Sequence, residues 1–171
     1  MVIAGDIGGT KTELGLFDTH GQIIKKVHYE NAGIEQFDLL LHRFFKECEI
    51  NEHKECQLAG SRSGVSGICL GVAGPVQNGR CQMTNLPWCL DAQLLQKQFG
   101  VPCLLINDLE AMAWSLPFLP ASEFVQLQGK HEYGPRNPDV MQSATQVTAI
   151  MSVGTGLGEA ALVSSPSGYG V

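Results

Sequence analysis

Two stretches of the chain share one pattern, in which an apolar strand enters a glycine turn and a second apolar strand leaves it. The first runs from Val2 to Phe17 around Gly8-Gly9, and the second from Val147 to Val163 around the turn at 154–158. A repeated unit of this kind indicates a duplicated architecture. Because only 25 residues remain from Val147 onward, we expect a second lobe that has only begun.

The composition argues against several classes of protein. With 44% hydrophobic and 16% charged residues, the chain has enough apolar material for a packed core, so we expect a globular fold rather than disorder. The net charge of -6 and the scatter of the basic residues argue against nucleic-acid and anionic-membrane partners. No segment approaches the roughly 18 to 20 apolar residues of a membrane span, and the start MVIAGD is unlike a signal segment. We therefore predict a cytoplasmic protein.

Between the two glycine hairpins, the periodicity predicts strands interspersed with helices, which is typical of an α/β fold. Asn78-Gly79 is a strong signal for a two-residue turn in a small flap. Asp91 is a good helix N-cap, and Gly100 is a good helix end. The remaining predicted elements are strands at Ile23 to Tyr29, Gly67 to Ala73 and Cys103 to Ile106, and helices at Phe37 to Cys48, after Asp91, and at Leu109 to Leu116.

A polar segment separates the two hairpins. It runs from Gly129 to Gln146 and contains two prolines, which is typical of a linker or exposed loop. We therefore predict an N-terminal lobe at residues 1–119, a linker at 120–146 and the start of a truncated second lobe at 147–171.

Three loops follow predicted strands, at the edge of an open α/β sheet where ligands collect. Glycine lets backbone N–H groups approach a phosphate closely, and Thr10 and Thr155 add hydroxyl donors. Two facing glycine loops would hold a polyphosphate, whereas either one taken alone is more simply a hairpin turn. Neither contains the Walker pattern, and neither opens a helix as a dinucleotide fingerprint does. The loops are Asp6-Ile7-Gly8-Gly9-Thr10, Asn107-Asp108 and Gly154-Thr155-Gly156-Leu157-Gly158.

Asp6 places a carboxylate at the end of an otherwise apolar strand, which is unfavourable unless hydrogen bonds or a cation compensate. One interpretation is that Asp6 accepts bonds from the N–H groups of its own turn. The other is that it meets Mg²⁺ through water, since this ion keeps much of its hydration shell. The residues alone leave both open.

Asp108 also has two interpretations. An Asp between a strand and a helix is a good N-cap. It is also a candidate base, because a loose phosphoryl-transfer transition state needs only an oriented hydroxyl and a late proton acceptor, for which an ordinary carboxylate pKa of about 3.9 suffices. Asn107 would then hold the same substrate.

Four segments occur in the order seen in bacterial glucokinases, and together the chain resembles that family over nearly its whole length. This family belongs to the superfamily of sugar kinases, Hsp70 and actin. The resemblance implies a ribonuclease H-like, actin-like ATPase lobe with a mixed sheet, plus the first hairpin of a second, incomplete lobe. The segments are GDIGGTKTELGLFD, MTNLPW, INDLEAMAWSLP and VGTGLGEAALV.

The resemblance implies transfer of the γ-phosphate of ATP to the 6-hydroxyl of glucose. It implies that Asn107 and Asp108 contact glucose, with Asp108 as the catalytic base, and that Asp6 meets Mg²⁺ through water. It also implies a homodimer. The two implied phosphate loops consist of Gly5, Asp6, Ile7, Gly8, Gly9 and Thr10, and of Gly154, Thr155 and Gly156.

Two departures from the family pattern matter. Lys11 stands where many members of this group carry Asn and is closer to the repressor, open-reading-frame and kinase branch, but the zinc-binding cysteine cluster of that branch is absent. Further sugar contacts of the family, in a GEGGH segment and another glutamate, would follow Val171. We therefore expect an incomplete fragment of a glucokinase that is a poor catalyst by itself. The alternatives are a non-catalytic sugar-sensing regulator of the same superfamily and an actin-like or chaperone-like ATPase.

Overall fold

The computed structural model describes residues 1–50, 64–125, 127, 146–153 and 157–171. These residues form two compact units, Met1–Asp108 and Leu109–Val171. No helix among them combines the length and the apolar character that a membrane crossing requires. The division into an N-terminal lobe at 1–119, a linker at 120–146 and a second lobe at 147–171 remains a prediction.

The first unit is built around a five-stranded mixed sheet in which three neighbouring strands are parallel. The unit has seven strands among its described residues, and all but β5 and β6 belong to this sheet. They are β1 (Val2–Ile7), β2 (Lys11–Phe17), β3 (Ile23–Glu30), β4 (Gly67–Val72), β5 (Arg80–Gln82), β6 (Cys89–Asp91) and β7 (Cys103–Asn107). Its helices are α1 (Phe37–Glu47) and α2 (Ala92–Phe99), and α3 (Asp108–Ser115) begins at its last residue. The sheet order is β3-β2-β1-β4-β7, with β2 antiparallel to both neighbours and β1, β4 and β7 parallel. The carboxyl ends of β1, β4 and β7 therefore share one edge.

Apolar side chains of the sheet and of α1 form the core of this unit. Gly5 lies in a crowded part of it, where a Cβ would stand 2.6 Å from Cδ2 of Leu14 and 2.8 Å from Cδ2 of Leu70. Glycine at this position lets the three strands pack closely. One face of α1 is buried, as its three-and-four spacing predicts. The residues of that face are Phe37, Leu40, Leu41, Phe44 and Phe45.

The structure confirms the sequence predictions that concern a turn, a helix N-cap and a helix end. Asn78 and Gly79 have φ values of 52° and 72°, the positive values that a type I′ turn requires. The carboxylate of Asp91 accepts from the N–H groups of Gln93 and Leu94 and so caps α2. Gly100 ends that helix in the left-handed region at φ 71°.

The flap around Asn78 extends further than the sequence predicts. The short strands β5 and β6 pair with each other in a separate two-stranded sheet. Between them lies Trp88, which is 1% exposed and donates its indole N–H to the carbonyl oxygen of Ile34 at 2.9 Å. A buried indole with a bonded N–H anchors the flap on the lobe.

The second unit contains the two paired strands that flank the later glycine turn, whose residues 154–156 are not described, and a third strand that the sequence did not reveal. Ala113, Ile150 and Leu162 form a cluster of buried side chains in this unit. A Cβ at Gly158 would collide with the side chain of Leu109, so α3 approaches the hairpin at a glycine. The strands, in sheet order, are β10 (Gly168–Gly170), β9 (Leu157–Ser165) and β8 (Gln146–Val153).

Candidate active site

The turn between β1 and β2 carries the first predicted glycine loop. It is closed by a hydrogen bond of 2.9 Å from the N–H of Gly8 to the carbonyl oxygen of Lys11. A Cβ at Gly9 would stand 3.3 Å from Nδ2 of Asn85, so glycine lets the side chain of Asn85 lie against the turn. Thr10 is exposed at the tip of the turn. The side chain of Thr10 is therefore accessible to solvent next to the end of β1.

Main-chain hydrogen bonds align the ends of the parallel strands β1, β4 and β7. Ile7 pairs with Val72, and Val72 pairs with Asn107, in adjacent parallel ladders. Beyond β4, the N–H of Ala73 donates to the carbonyl oxygen of Ile7 at 2.9 Å. The loops that follow these strands are thus held at one height across the sheet.

Asn107, the last residue of β7, is tied to the loop that follows β4. Its Nδ2 donates to the carbonyl oxygen of Gly74 at 3.0 Å. An amide nitrogen used in this way fixes the direction of the whole side chain. The bond joins two of the three strand ends that form the edge.

Asp108 lies close enough to Asp6 for its charge to influence the ionisation of Asp6. The pKa of the Asp6 carboxyl lies above its ordinary value, first because the surrounding protein removes water from it, and then because Asp108 and Glu13 carry like charge. Glu13 itself pairs with Lys26 and with Nδ1 of His28. The carboxylates of Asp6 and Asp108 therefore form a negative pole at this edge.

The structure brings the sequence-predicted residues of the first unit to one edge of the sheet. Gly5, Asp6, Ile7, Gly8, Gly9 and Thr10 lie at the end of β1 and in its turn, and Asn107 and Asp108 lie two strands away at the same edge. Asp108 is the first residue of α3 rather than a residue that precedes the helix. Gly154, Thr155 and Gly156, the predicted second loop, lie outside the described residues.

Two asparagines that the sequence did not single out lie against the glycine turn. Asn85 contacts it as described above, and Asn31 donates its Nδ2 to the carbonyl oxygen of Gly8 at 3.0 Å. Asn85 falls in the segment MTNLPW, so its presence in a shared motif was an available signal. Asn31 carried no such signal.

Comparison with known proteins decides the family. The family model described as Glucokinase matches residues 3–171. The chain belongs to the glucokinase family. A curated glucokinase of Nostoc sp. (strain PCC 7120) is 30% identical to it over 177 residues, which cover 100% of this chain and 45% of that protein. The chain thus spans about half the length of the curated relatives it matches.

Solved structures show the same fold. A glucokinase from an Antarctic psychrotroph is similar with a TM-score of 0.70 and 22% identity, over 99% of this chain and 48% of that one. A ROK family glucokinase from Streptomyces griseus, solved in complex with glucose and AMPPNP, is similar with a TM-score of 0.54 and 19% identity, over 98% and 45%. The predicted class, α/β with an actin-like lobe and a mixed sheet, is confirmed.

Proposed function

We propose that this chain supplies the first phosphate loop and the catalytic base of an enzyme that transfers the γ-phosphate of ATP to the 6-hydroxyl of glucose. The observation that carries the proposal is the shared edge at which Asp6, Asp108 and Asn107 lie beside the turn of Gly8 and Gly9. Phosphoryl transfer asks a protein mainly for positioning and electrostatic stabilisation, and this edge offers donors for phosphate and carboxylates for a hydroxyl and a cation.

Asp108 is the base in this mechanism. The 6-hydroxyl oxygen of the sugar attacks the γ-phosphorus, the bond to the β,γ-bridging oxygen breaks, and ADP leaves with that electron pair. The hydroxyl proton passes late to the carboxylate of Asp108. Asn107, whose Nδ2 is held by Gly74, orients the sugar beside it.

The glycine loops hold the phosphates. In the first loop, the N–H groups around Gly9 and the hydroxyl of Thr10 donate to phosphate oxygens. Gly154, Thr155 and Gly156 form the second loop in this proposal. Donors on two loops would fix the γ-phosphate in line with the attacking oxygen.

The residues at this edge fit Mg²⁺, which prefers oxygen ligands and retains several waters. The fit rests on Asp6, whose pKa is raised in part by the neighbouring charge of Asp108, so a cation relieves a repulsion that the fold contains. When bound, the ion supplies charge neutralisation for the phosphates. Asp6 would hold it through water.

The length of the curated relatives bears on activity. They are about twice as long as this chain, and further sugar contacts are expected in their other half. Because catalysis here depends on positioning, we propose that the 171-residue chain alone is a poor catalyst. A homodimeric assembly and a cytoplasmic location belong to the same proposal.

The test replaces Asp108 in the complete gene product, which is the whole protein that the gene encodes. Asp108→Asn should lower kcat for glucose phosphorylation by about 10² to 10⁴, the usual contribution of a general base, while the KM for Mg-ATP changes little. Asp38→Asn, on α1, is the matched control and should keep full activity. A coupled assay of ADP release measures both.

The same assay separates the proposal from its alternative. A sugar-sensing regulator would bind glucose in calorimetry without releasing ADP, and Asp108→Asn would then leave its function intact. Equal kcat values in the wild type and in Asp108→Asn would show that Asp108 is not the catalytic base.

A further inference from the structure

Asn31, directly after β3, is bonded to the glycine turn through its side chain and its backbone. It is 2% exposed, and its Nδ2 donates to the carbonyl oxygen of Gly8 at 3.0 Å. Its Oδ1 accepts from Oγ1 of Thr12 at 2.8 Å. Its backbone N–H donates to the carbonyl oxygen of Thr10 at 2.9 Å. A buried amide bonded through both its nitrogen and its oxygen is held in a single orientation.

The bond to Gly8 determines where the next N–H group points. The peptide between Gly8 and Gly9 is trans, and in a planar trans peptide the C=O and N–H bonds point in opposite directions. Since the carbonyl oxygen of Gly8 faces Asn31, the N–H of Gly9 faces away from Asn31. Two glycines in sequence would otherwise leave this turn with wide conformational freedom.

Thr12 supports the amide of Asn31 from the other side. The carbonyl oxygen of Gly8 can only accept a hydrogen bond, so it selects Nδ2 and turns Oδ1 away from the glycine turn. Thr12 is 1% exposed, and its hydroxyl donates to Oδ1, which would otherwise be a buried acceptor without this bond. Thr12 and Asn31 therefore act as one unit behind the turn.

We infer that Asn31, supported by Thr12, is a positioning residue for phosphate binding: it holds the Gly8-Gly9 peptide so that the N–H of Gly9 is presented to the nucleotide phosphates. The inference rests on the proposed function and adds a residue to it. Asn31 touches the backbone of the turn rather than the phosphate, so its loss should weaken phosphate binding and leave sugar binding intact.

The experiment compares four variants in the complete gene product. Asn31→Ala removes the amide, and Thr12→Val removes the hydroxyl at nearly constant volume. Thr12→Ser keeps the hydroxyl and should restore wild-type behaviour. Tyr29→Phe is the matched control, because it removes another side-chain bond of β3, the one of 3.2 Å to Glu47, without touching the turn.

We expect Asn31→Ala and Thr12→Val to raise the KM for Mg-ATP by about tenfold, the effect of losing one buried hydrogen bond, while the KM for glucose stays within about twofold. A second readout uses calorimetry with ADP and AMP. ADP carries the phosphate that the turn would meet and should bind more weakly to both variants, whereas AMP should bind as it does to the wild type.

Each outcome decides the inference. If both variants match Tyr29→Phe in the KM for Mg-ATP, or if the affinities for glucose and ATP fall together, Asn31 has a structural role only and the kinase proposal stands. If the wild type neither binds ADP nor consumes ATP, the proposed function fails and the inference fails with it. Should Asn31→Ala not fold, Thr12→Val decides, because it leaves the backbone bond between Asn31 and Thr10 in place.

Discussion

The side-chain amide of Asn107 donates to the backbone carbonyl oxygen of Gly74 at 3.0 Å and so joins the ends of β7 and β4. The bond fixes an amide that our proposal places against glucose. It also makes a one-atom substitution informative, since Asp has the shape of Asn without its donor.

Asn107→Asp should raise the KM for glucose by about tenfold or more, because a carboxylate facing a carbonyl oxygen loses the bond and gains a repulsion. The measurement is steady-state kinetics with glucose varied at saturating Mg-ATP. Asn78→Asp is the control, because Asp is tolerated in a type I′ turn and Asn78 lies in the flap. An unchanged KM for glucose in Asn107→Asp would show that the bond between Asn107 and Gly74 does not contribute to sugar binding.

The repulsion between Asp6 and Asp108 predicts a variant that is more stable and less active. Asp108→Asn removes the like charge that helps to raise the pKa of Asp6. For a pair open to solvent the gain should be only about 0.2–1 kcal/mol in the free energy of unfolding at pH 7, and smaller in high salt. Urea unfolding without divalent ions measures it, and Asp38→Asn again provides the comparison.

The sign of the pH dependence follows from the same shift. Because the pKa of Asp6 is raised, the folded protein binds this proton more tightly than the unfolded chain does. Stability due to Asp6 is therefore lost as pH rises from the ordinary value of 3.8 through the raised pKa. Asp108→Asn should flatten this part of the profile, and an unchanged slope would show that the two carboxylates do not interact.

Local rules predicted those parts of the fold that neighbouring residues decide. Asn78-Gly79 and the cap at Asp91 each depend on a few consecutive residues, and both are confirmed. The shared edge of Asp6 and Asn107 was predictable because parallel strands place their carboxyl ends together.

Contacts distant in sequence were not predictable in this way. Asn31 lies 23 residues from Gly8 and meets it only because β3 returns beside β2. A single asparagine forms no sequence pattern from which such a bond could be predicted. The pairing of β5 with β6 was missed for a related reason, since strands of three residues are too short to show alternation.

Asp91 should stabilise the first unit mainly at neutral pH. Desolvation disfavours its charge, but the bonds from the N–H of Leu94, from Arg80 and from the N–H of Gln93, with the charge of Arg80, together lower its pKa. Its contribution is therefore present above the ordinary value of 3.8 and is lost as pH falls through the lowered pKa.

Asp91→Ala should lower the Tm at pH 7 by several degrees and have a smaller effect near pH 2, because progressive protonation of the carboxylate removes its contribution in the wild type. Asp91→Ser keeps a cap and loses the bond of 2.6 Å to Arg80, so it should fall between the wild type and Asp91→Ala. Circular dichroism melts at both pH values measure this. An equal loss at pH 7 and pH 2 would mean that the charge of Asp91 contributes nothing.

Gly158 should be intolerant of a single added methyl group. A Cβ at this position would collide with the side chain of Leu109, which is 9% exposed and cannot move aside freely. Gly158→Ala should therefore destabilise the second unit by roughly 1–3 kcal/mol, the usual cost of overpacking. Gly170→Ala is the matched control, since a Cβ there meets nothing within 4 Å. In the double variant Gly158→Ala/Leu109→Ala the two losses should be less than additive, because the smaller side chain removes the collision. Additive losses in thermal melts would show that Leu109 is not the neighbour that makes glycine necessary.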